Sequence, residues 1–259
     1  MRQIFPEQGE QLGPLDQTPE PGDPAAAKLV GELARIYAYP EGRCVRANMI
    51  ASVDGAISVQ GRSGGLSGVA DRLLFGVLRS LADVIVVGAG TARAEKYGLV
   101  KPASMWPQLR QGRKATPPIA VITRSLSLDL DSQLIHGEHG QLPPTIVFTT
   151  KQAPADQLAV AARTADVIVT GDQDVPVRSV IEQLSGLGYR RILVEGGPTL
   201  LAQLTAASLL DELCVTTSPL LEGGHAGRML AAPAPTPSQL KLAALIEDNG
   251  FLLGRYLRQ

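Results

Sequence analysis

An apolar run, Arg191-Ile192-Leu193-Val194, empties into Glu195-Gly196-Gly197-Pro198 and then into the small, helix-forming residues around Thr199 and Leu200. A strand that ends in paired glycines before a helix start is a place where backbone approaches a ligand closely, because glycine carries no Cβ. Pro198 suits the first turn of a helix, and the free N–H groups there face whatever lies in front of them. Glu195 stands at the carboxyl end of the strand, the edge at which open α/β sheets bind ligands. The pattern points to a phosphate-bearing cofactor beside a polar substrate. Gly-Gly alone suits an ordinary strand-to-helix turn equally well, so the rest of the chain has to decide.

Strand–helix alternation runs through the first 200 residues. The pattern predicts strands at 44–51, 83–88, 119–123, 145–149, 167–169, 190–195 and 212–217. It predicts helices at 28–37, 71–81, 155–163, 177–186 and 198–207, the second with Leu73, Leu74, Val77, Leu78 and Leu81 on one face. Near the end, 241–246 and 251–258 flank Asp248-Asn249-Gly250, a strong hairpin signal. The expectation is an α/β fold: a mostly parallel mixed sheet, helices on both faces, and a C-terminal antiparallel hairpin. Residues 1–27, with five prolines, read as an extended arm, and 28–259 as a single domain. Residues 95–117 read as a long polar surface loop that includes Trp106.

Four predicted strands carry polar or glycine signals at their carboxyl ends: Ser52-Val53-Asp54-Gly55, Gly88-Ala89-Gly90-Thr91, Thr123-Arg124-Ser125 and Glu195-Gly196-Gly197. If the strands are parallel, all four meet at one edge and argue for a shared cleft. Gly88-x-Gly90-Thr91 lacks the third glycine of the dinucleotide fingerprint, yet still offers N–H donors and a hydroxyl near a helix start. Arg124 suits a solvated surface charge; beside an adenosine ribose it would pair with a 2′-phosphate and favour NADP over NAD. Asp71, at a helix start, suits dipole complementation; alternatively its carboxylate faces the ring nitrogens of a pyrimidine or pteridine. Arg79 lies two turns on, on about the same face, where an arginine can reach an anionic substrate group. Ser63, in the loop Gly61-Arg62-Ser63-Gly64-Gly65, is a candidate hydroxyl donor in a mobile lid.

Other classes find little support. The formal net charge is −1, without a basic stripe for nucleic acid. No run reaches the roughly 18–20 apolar residues of a membrane span, and no signal peptide is visible, so a cytoplasmic protein is expected. Cys44 and Cys214 read as buried free thiols. His136 and His139 form a His-x-x-His pair with no evident third ligand, so no metal is assigned. There is no phosphate-loop lysine motif and no Ser-His-Asp arrangement.

Four blocks in this order carry a resemblance to a known family: Ala47–Gly55, Leu78–Thr91, Ile192–Leu200 and Leu210-Asp211-Glu212-Leu213. Over about 43–258 the chain resembles the pyrimidine reductases of riboflavin biosynthesis, the reductase domains of bifunctional deaminase–reductases, which have a dihydrofolate-reductase-like fold. The resemblance implies an NADPH-dependent reductase and a homodimer, with the late strands as its interface. The implied substrate is 5-amino-6-(5-phosphoribosylamino)uracil, with hydride passing to C1′ of the ring-opened imine. It implies substrate contacts at Ser63, Arg79 and Glu195, with Asp54 and Asp71 as further substrate-side candidates. It implies cofactor contacts at Ile50, Gly65, Thr91, Glu95, Arg124 and from Gly197 to Gln203. Gly88, Gly90, Thr123 and Gly196 join the cofactor set from the strand-end signals. Two departures concern the sugar phosphate. Ala56 stands where the family has Lys or Arg, and Glu95–Lys101 replaces a stretch that ends in a phosphate-holding Arg. The cofactor half of the pattern is thus better kept than the substrate half. A pterin such as dihydrofolate, faced by Asp71, is the alternative substrate, and a nucleotide-binding protein without turnover the third reading. No zinc deaminase signature is present, so a stand-alone reductase is expected.

Overall fold

The computed structural model describes residues 1–6, 12, 15, 17–21, 23–136, 140, 142–231 and 237–259. In chain order it runs β1 (Arg2–Phe5), α1 (Ala27–Ile36), β2 (Cys44–Ser52), α2 (Val69–Leu81), β3 (Val84–Gly88) and α3 (Ala89–Ala94). There follow β4 (Ile119–Ile122), β5 (Ile146–Thr149), α4 (Ala155–Ala161), β6 (Asp166–Val169), α5 (Val177–Gly186) and β7 (Arg191–Val194). The chain ends with α6 (Pro198–Ala206), β8 (Glu212–Ser218), β9 (Leu240–Asp248) and β10 (Phe251–Arg258). All ten strands form one sheet in the order β1-β9-β10-β8-β2-β7-β3-β4-β5-β6. From β8 through β6 the pairings are parallel. From β8 outward through β10, β9 and β1 they are antiparallel. The expected mixed, mostly parallel sheet with a C-terminal hairpin is what forms.

The parallel strands are apolar on both faces because both are covered. In β3, Ile85 and Val87 join the cluster made with α1 and α2, while Val84 and Val86 join the one made with α5 and α6. The period-2 alternation of a strand thus sorts consecutive residues into opposite cores. Asn249 and Gly250, both at positive φ, make the β9–β10 turn.

Two expectations meet a different local structure. Within 1–27, Arg2–Phe5 is extended, but as edge strand β1, hydrogen-bonded to β9. Leu12 and Leu15 are buried in the α1/α2 core. The stretch 95–117 is a loop with many exposed polar residues, as expected, but Trp106 is not on its surface. Trp106 is only 2% exposed, and Val100 and Met105 are buried with it. Short 3-10 turns at Pro102–Ser104 and Pro107–Leu109 fold the segment back on itself. The Trp106 amide donates to Ser80 Oγ at 3.0 Å, and a Cβ at Gly76 would stand 3.5 Å from the indole nitrogen. The small residues on the outer side of α2 leave room for the indole, which periodicity within 95–117 does not reveal.

The Leu-Asp-Glu-Leu block has a structural role. Asp211 accepts from the Val45 amide at 2.8 Å, fixing the β2–β8 register. Buried Glu212 pairs with Arg46 at 2.6 Å and Arg255 at 2.7 Å, and Arg46 stacks on Tyr39. Removing one member of such a buried network costs about 3–5 kcal/mol, because the remaining charges lose their partner.

Candidate functional site

The carboxyl ends of β2, β3 and β7 open into a cleft of about 850 Å³. This is the edge at which a parallel sheet leaves strand ends and helix starts free to meet a ligand. One side of the cleft is backbone. Gly88, Gly90, Thr91, Gly196, Gly197, Pro198, Thr199 and Leu200 all line it. The Gly88 amide donates to the Gly196 carbonyl at 3.0 Å, joining the ends of β3 and β7. Gly196 sits at φ +109°, a conformation side-chain-bearing residues rarely adopt. A Cβ at Gly197 would lie 2.6 Å from Thr91 Oγ1, so the glycine is required by a close approach. α6 starts at Pro198 with no side-chain cap, which leaves its first N–H groups to the cleft. These features fit a pyrophosphate, an anion that accepts from uncapped amides where a side chain would intrude.

Side chains form the other side of the cleft. Asp71 and Arg79, both on α2, line it together with Glu195, as their spacing predicts. Arg79 is not a free cation. It donates to both Glu195 oxygens, Nε to Oε1 at 2.8 Å and Nη2 to Oε2 at 2.7 Å. Burial opposes the Arg79 charge, but Glu195 more than offsets this and raises its pKa. The Tyr97 hydroxyl donates to Glu195 Oε2 at 2.9 Å, and the Phe75 ring stacks on the Arg79 guanidinium at 4.2 Å. Asp71 is 8% exposed and accepts from Ser67 Oγ at 2.6 Å. Burial raises its pKa above the usual carboxylate range, and the Ser67 hydrogen bond partly counters that. Ile50 lines the cleft from β2. Ser63 and Glu95 also line it and bind each other, the Ser63 amide donating to Glu95 Oε1 at 2.7 Å. This bond ties the Ser63–Gly65 turn to the end of α3.

Seven predicted site residues lie outside the lining of the cleft; three of them, Leu201, Ala202 and Gln203, sit further along α6, the first two buried and Gln203 exposed. Asp54 accepts from Ser52 Oγ and from the amides of Gly223 and Glu222, so it clasps the 52–55 turn to a neighbouring loop. Those hydrogen bonds, the Ser52 one first, lower its pKa to about 2. Gly65 packs on Val59, whose Cβ lies 2.8 Å from where a Gly65 Cβ would be. Thr123 is buried, its amide donating to the Phe148 carbonyl. Arg124 sits further along the same sheet edge, 70% exposed and 3.5 Å from Asp174. His136 is exposed, and His139 lies outside the described residues.

Tyr97, Phe75 and Ser67 are the site residues that reading the sequence missed. Tyr97 sits in the 95–101 stretch, whose departure from the family pattern shows in the sequence as lost cations. Phe75 is four residues before Arg79, one helical turn, a spacing that does signal a stacked pair.

The conserved profile of the RibD C-terminal domain matches residues 43–249. The chain belongs to this family. It is the reductase family indicated by the sequence resemblance. One relative similar to the chain is the 2,5-diamino-6-ribosylamino-4(3H)-pyrimidinone 5′-phosphate reductase of Archaeoglobus fulgidus. It is 30% identical over 181 residues, 69% of this chain and 81% of that protein. The enzyme of the same name from Methanothermobacter thermautotrophicus is 28% identical over 187 residues, 71% of this chain and 81% of that protein. A solved pyrimidine reductase-like protein from Corynebacterium diphtheriae superposes with a TM-score of 0.78 at 27% identity, covering 88% of this chain and 98% of that one. Among the described residues, no helix is long and apolar enough to cross a membrane.

Proposed function

We propose that this RibD C-terminal domain protein is an NADPH-dependent reductase of a ribosylaminopyrimidine 5′-phosphate. The observation that carries the reading is the joining of two unlike surfaces in one cleft: the uncapped, glycine-lined edge from Gly196 to Leu200, and the polar wall of Asp71, Arg79 and Glu195. Bound along the glycine edge, NADPH would supply the hydride. Gly88, Gly90, Thr91 and the start of α6 would hold its pyrophosphate. Arg124 and the neighbouring Thr123 turn would meet the adenosine phosphate, for which Arg124 has to leave Asp174. Asp71, Arg79, Glu195 and Ser63 would orient the pyrimidine, so that C1′ of the sugar imine faces the nicotinamide. Catalysis in this reading is mostly positioning.

Asp71 bears on which pyrimidine is bound. A carboxylate pairs best with two adjacent N–H donors, which a 2-amino-4-oxo ring presents at its 2-amino group and ring nitrogen. A uracil ring has a carbonyl in place of that 2-amino group, so on the same edge its N3–H stands alone between two carbonyls. Asp71 therefore favours the 2,5-diaminopyrimidinone, the compound named for the archaeal relatives, over the aminouracil. A pterin carries the same 2-amino-4-oxo edge, so Asp71 also supports dihydrofolate as the second reading. NADPH oxidation by the purified protein with the diaminopyrimidinone, the aminouracil and dihydrofolate in parallel is the test. Turnover of the diaminopyrimidinone above the other two is expected. Turnover of none of the three, with NADPH still bound, would sink the reductase reading.

We also propose a homodimer built on the outer face of the antiparallel strands. On β8, Glu212, Cys214, Thr216 and Ser218 are buried inward, while Leu213, Val215 and Thr217 on the alternate face stay partly open. Leu252, opposite Thr217 on β10, is exposed. Light scattering coupled to size exclusion should give twice the chain mass, and Leu252→Glu should lower it.

A further inference from the structure

Arg79, Glu195, Tyr97 and Phe75 come from α2, the end of β7 and the stretch after α3, yet they form one half-buried unit around the buried Glu195 carboxylate. We infer that Tyr97 is a positioning residue for the substrate: with Phe75 it locks Arg79 and Glu195 into a neutral donor–acceptor edge, suited to an uncharged group of the ligand that both donates and accepts rather than to a phosphate. This assignment rests on the reading of the cleft as a reductase site.

Hydrogen-bond inventory supports it. A guanidinium carries five N–H donors and a carboxylate about four acceptor positions. Glu195 uses two donors of Arg79 and receives the Tyr97 hydroxyl as a third, which leaves roughly one acceptor position. Oε2 already takes Nη2 and the Tyr97 hydroxyl, so that acceptor position is on Oε1, while Arg79 Nη1 stays outside the fork and supplies the donors. The two charges cancel, and an anion arriving here would gain Arg79 only by losing it from Glu195. Two rings pack against the pair, Phe75 at 4.2 Å and Tyr97 at 5.5 Å from the guanidinium carbon, ring centroid to atom. Burial first, and then the Glu195 carboxylate, holds the Tyr97 hydroxyl well above its ordinary pKa, so it stays a donor. Without that donor, Glu195 Oε2 has a spare lone pair, and the carboxylate is free to turn off the Arg79 plane.

The test compares Tyr97→Phe, which keeps the ring, with Tyr97→Leu, which removes ring and hydroxyl. Read-outs are KM and kcat for the diaminopyrimidinone at saturating NADPH, its Kd by calorimetry, NADPH Kd and melting temperature. Loss of one hydrogen bond to a charged group predicts a rise in substrate KM and Kd of about tenfold or more in Tyr97→Phe. In that variant kcat and NADPH Kd should stay near wild type, the melting temperature should fall by the few degrees that one lost hydrogen bond costs, and Tyr97→Leu should be worse still in substrate affinity. Unchanged substrate KM and Kd in Tyr97→Phe would overturn the assignment. So would a fall in NADPH affinity that tracks the substrate effect, since that marks a general structural role. The calorimetric Kd keeps the two questions apart. Wild-type protein that binds the pyrimidine without reducing it contradicts the reductase reading, whereas a Kd untouched by Tyr97→Phe contradicts only the role of Tyr97.

Discussion

The edge formed by Gly88, Thr91 and Gly196–Leu200 presents backbone to the cleft, whereas Asp71, Arg79, Glu195 and Tyr97 present ionisable side chains. The first surface is made by what is missing: no Cβ at Gly197 and no cap on α6. Its shape follows from the chain's local path, and its polarity from helix ends that every such turn leaves open. The second surface is made by partners brought from far apart in sequence, and each of its groups depends on another. Backbone surfaces of this kind fail by steric intrusion. Paired side chains fail when one partner goes and leaves the other buried and charged.

Glu195→Ala should break the comparison most severely. Arg79 would be left largely buried without its counter-charge, at a cost of about 3 kcal/mol or more in denaturant unfolding. Substrate turnover should collapse while NADPH still binds. An equal loss of NADPH affinity in calorimetry would show that the two surfaces are not separable.

Asp71→Asn sharpens it next. Turnover of the 2-amino substrate should fall about tenfold to a hundredfold, with ~1.5–3 kcal/mol lost from a charge-assisted contact. Folding should respond in the opposite sense. The folded-state pKa of Asp71 is raised, so its protonated form is the one the fold favours. The stability this contributes is fully present below the unfolded pKa, about 4, and is lost as pH rises through the folded value. Asn should therefore stabilise the protein at pH 7, and the gain should vanish below about pH 4. Urea unfolding at both pH values reads this, and a gain that persists at low pH would contradict it.

Gly197→Ala tests the backbone side. The added Cβ meets Thr91 Oγ1 at 2.6 Å. Overpacking of about 1–3 kcal/mol predicts a fall in NADPH affinity of roughly five- to 150-fold in a fluorescence titration. Thr91→Ser removes only the methyl group and should not restore it, since the clash is with the oxygen; Thr91→Ala should restore part.

Arg124→Ala should have the smallest effect. The side chain is exposed and already paired with Asp174. A decrease of about fivefold in the NADPH-to-NADH affinity ratio is expected, shrinking as salt rises. An unchanged ratio would remove Arg124 from the cofactor site.

The element order was legible in the residues because each element answers to local rules. Helix α5 runs over Val177–Gly186 as its 3.6-residue spacing predicts, and the β9–β10 hairpin turns at Asn249-Gly250. The glycine edge was legible for the same reason: a close approach leaves its mark in the residue that makes it. Asp71 and Arg79 were found because one helix face carries both. What the residues alone did not determine is who meets whom across the sheet. Arg79 reads as a free cation until β7 brings Glu195 to it, and Tyr97 reads as loop until it reaches Glu195. Trp106 reads as surface until Gly76 and Ser80 make room, and Asp54 as a ligand until Gly223 takes its carboxylate. Local periodicity and backbone constraints act over a few residues and are written in sequence. The charge state and freedom of a side chain depend on neighbours that here lie 26 to 169 residues away along the chain, and only the packed tertiary structure assigns them.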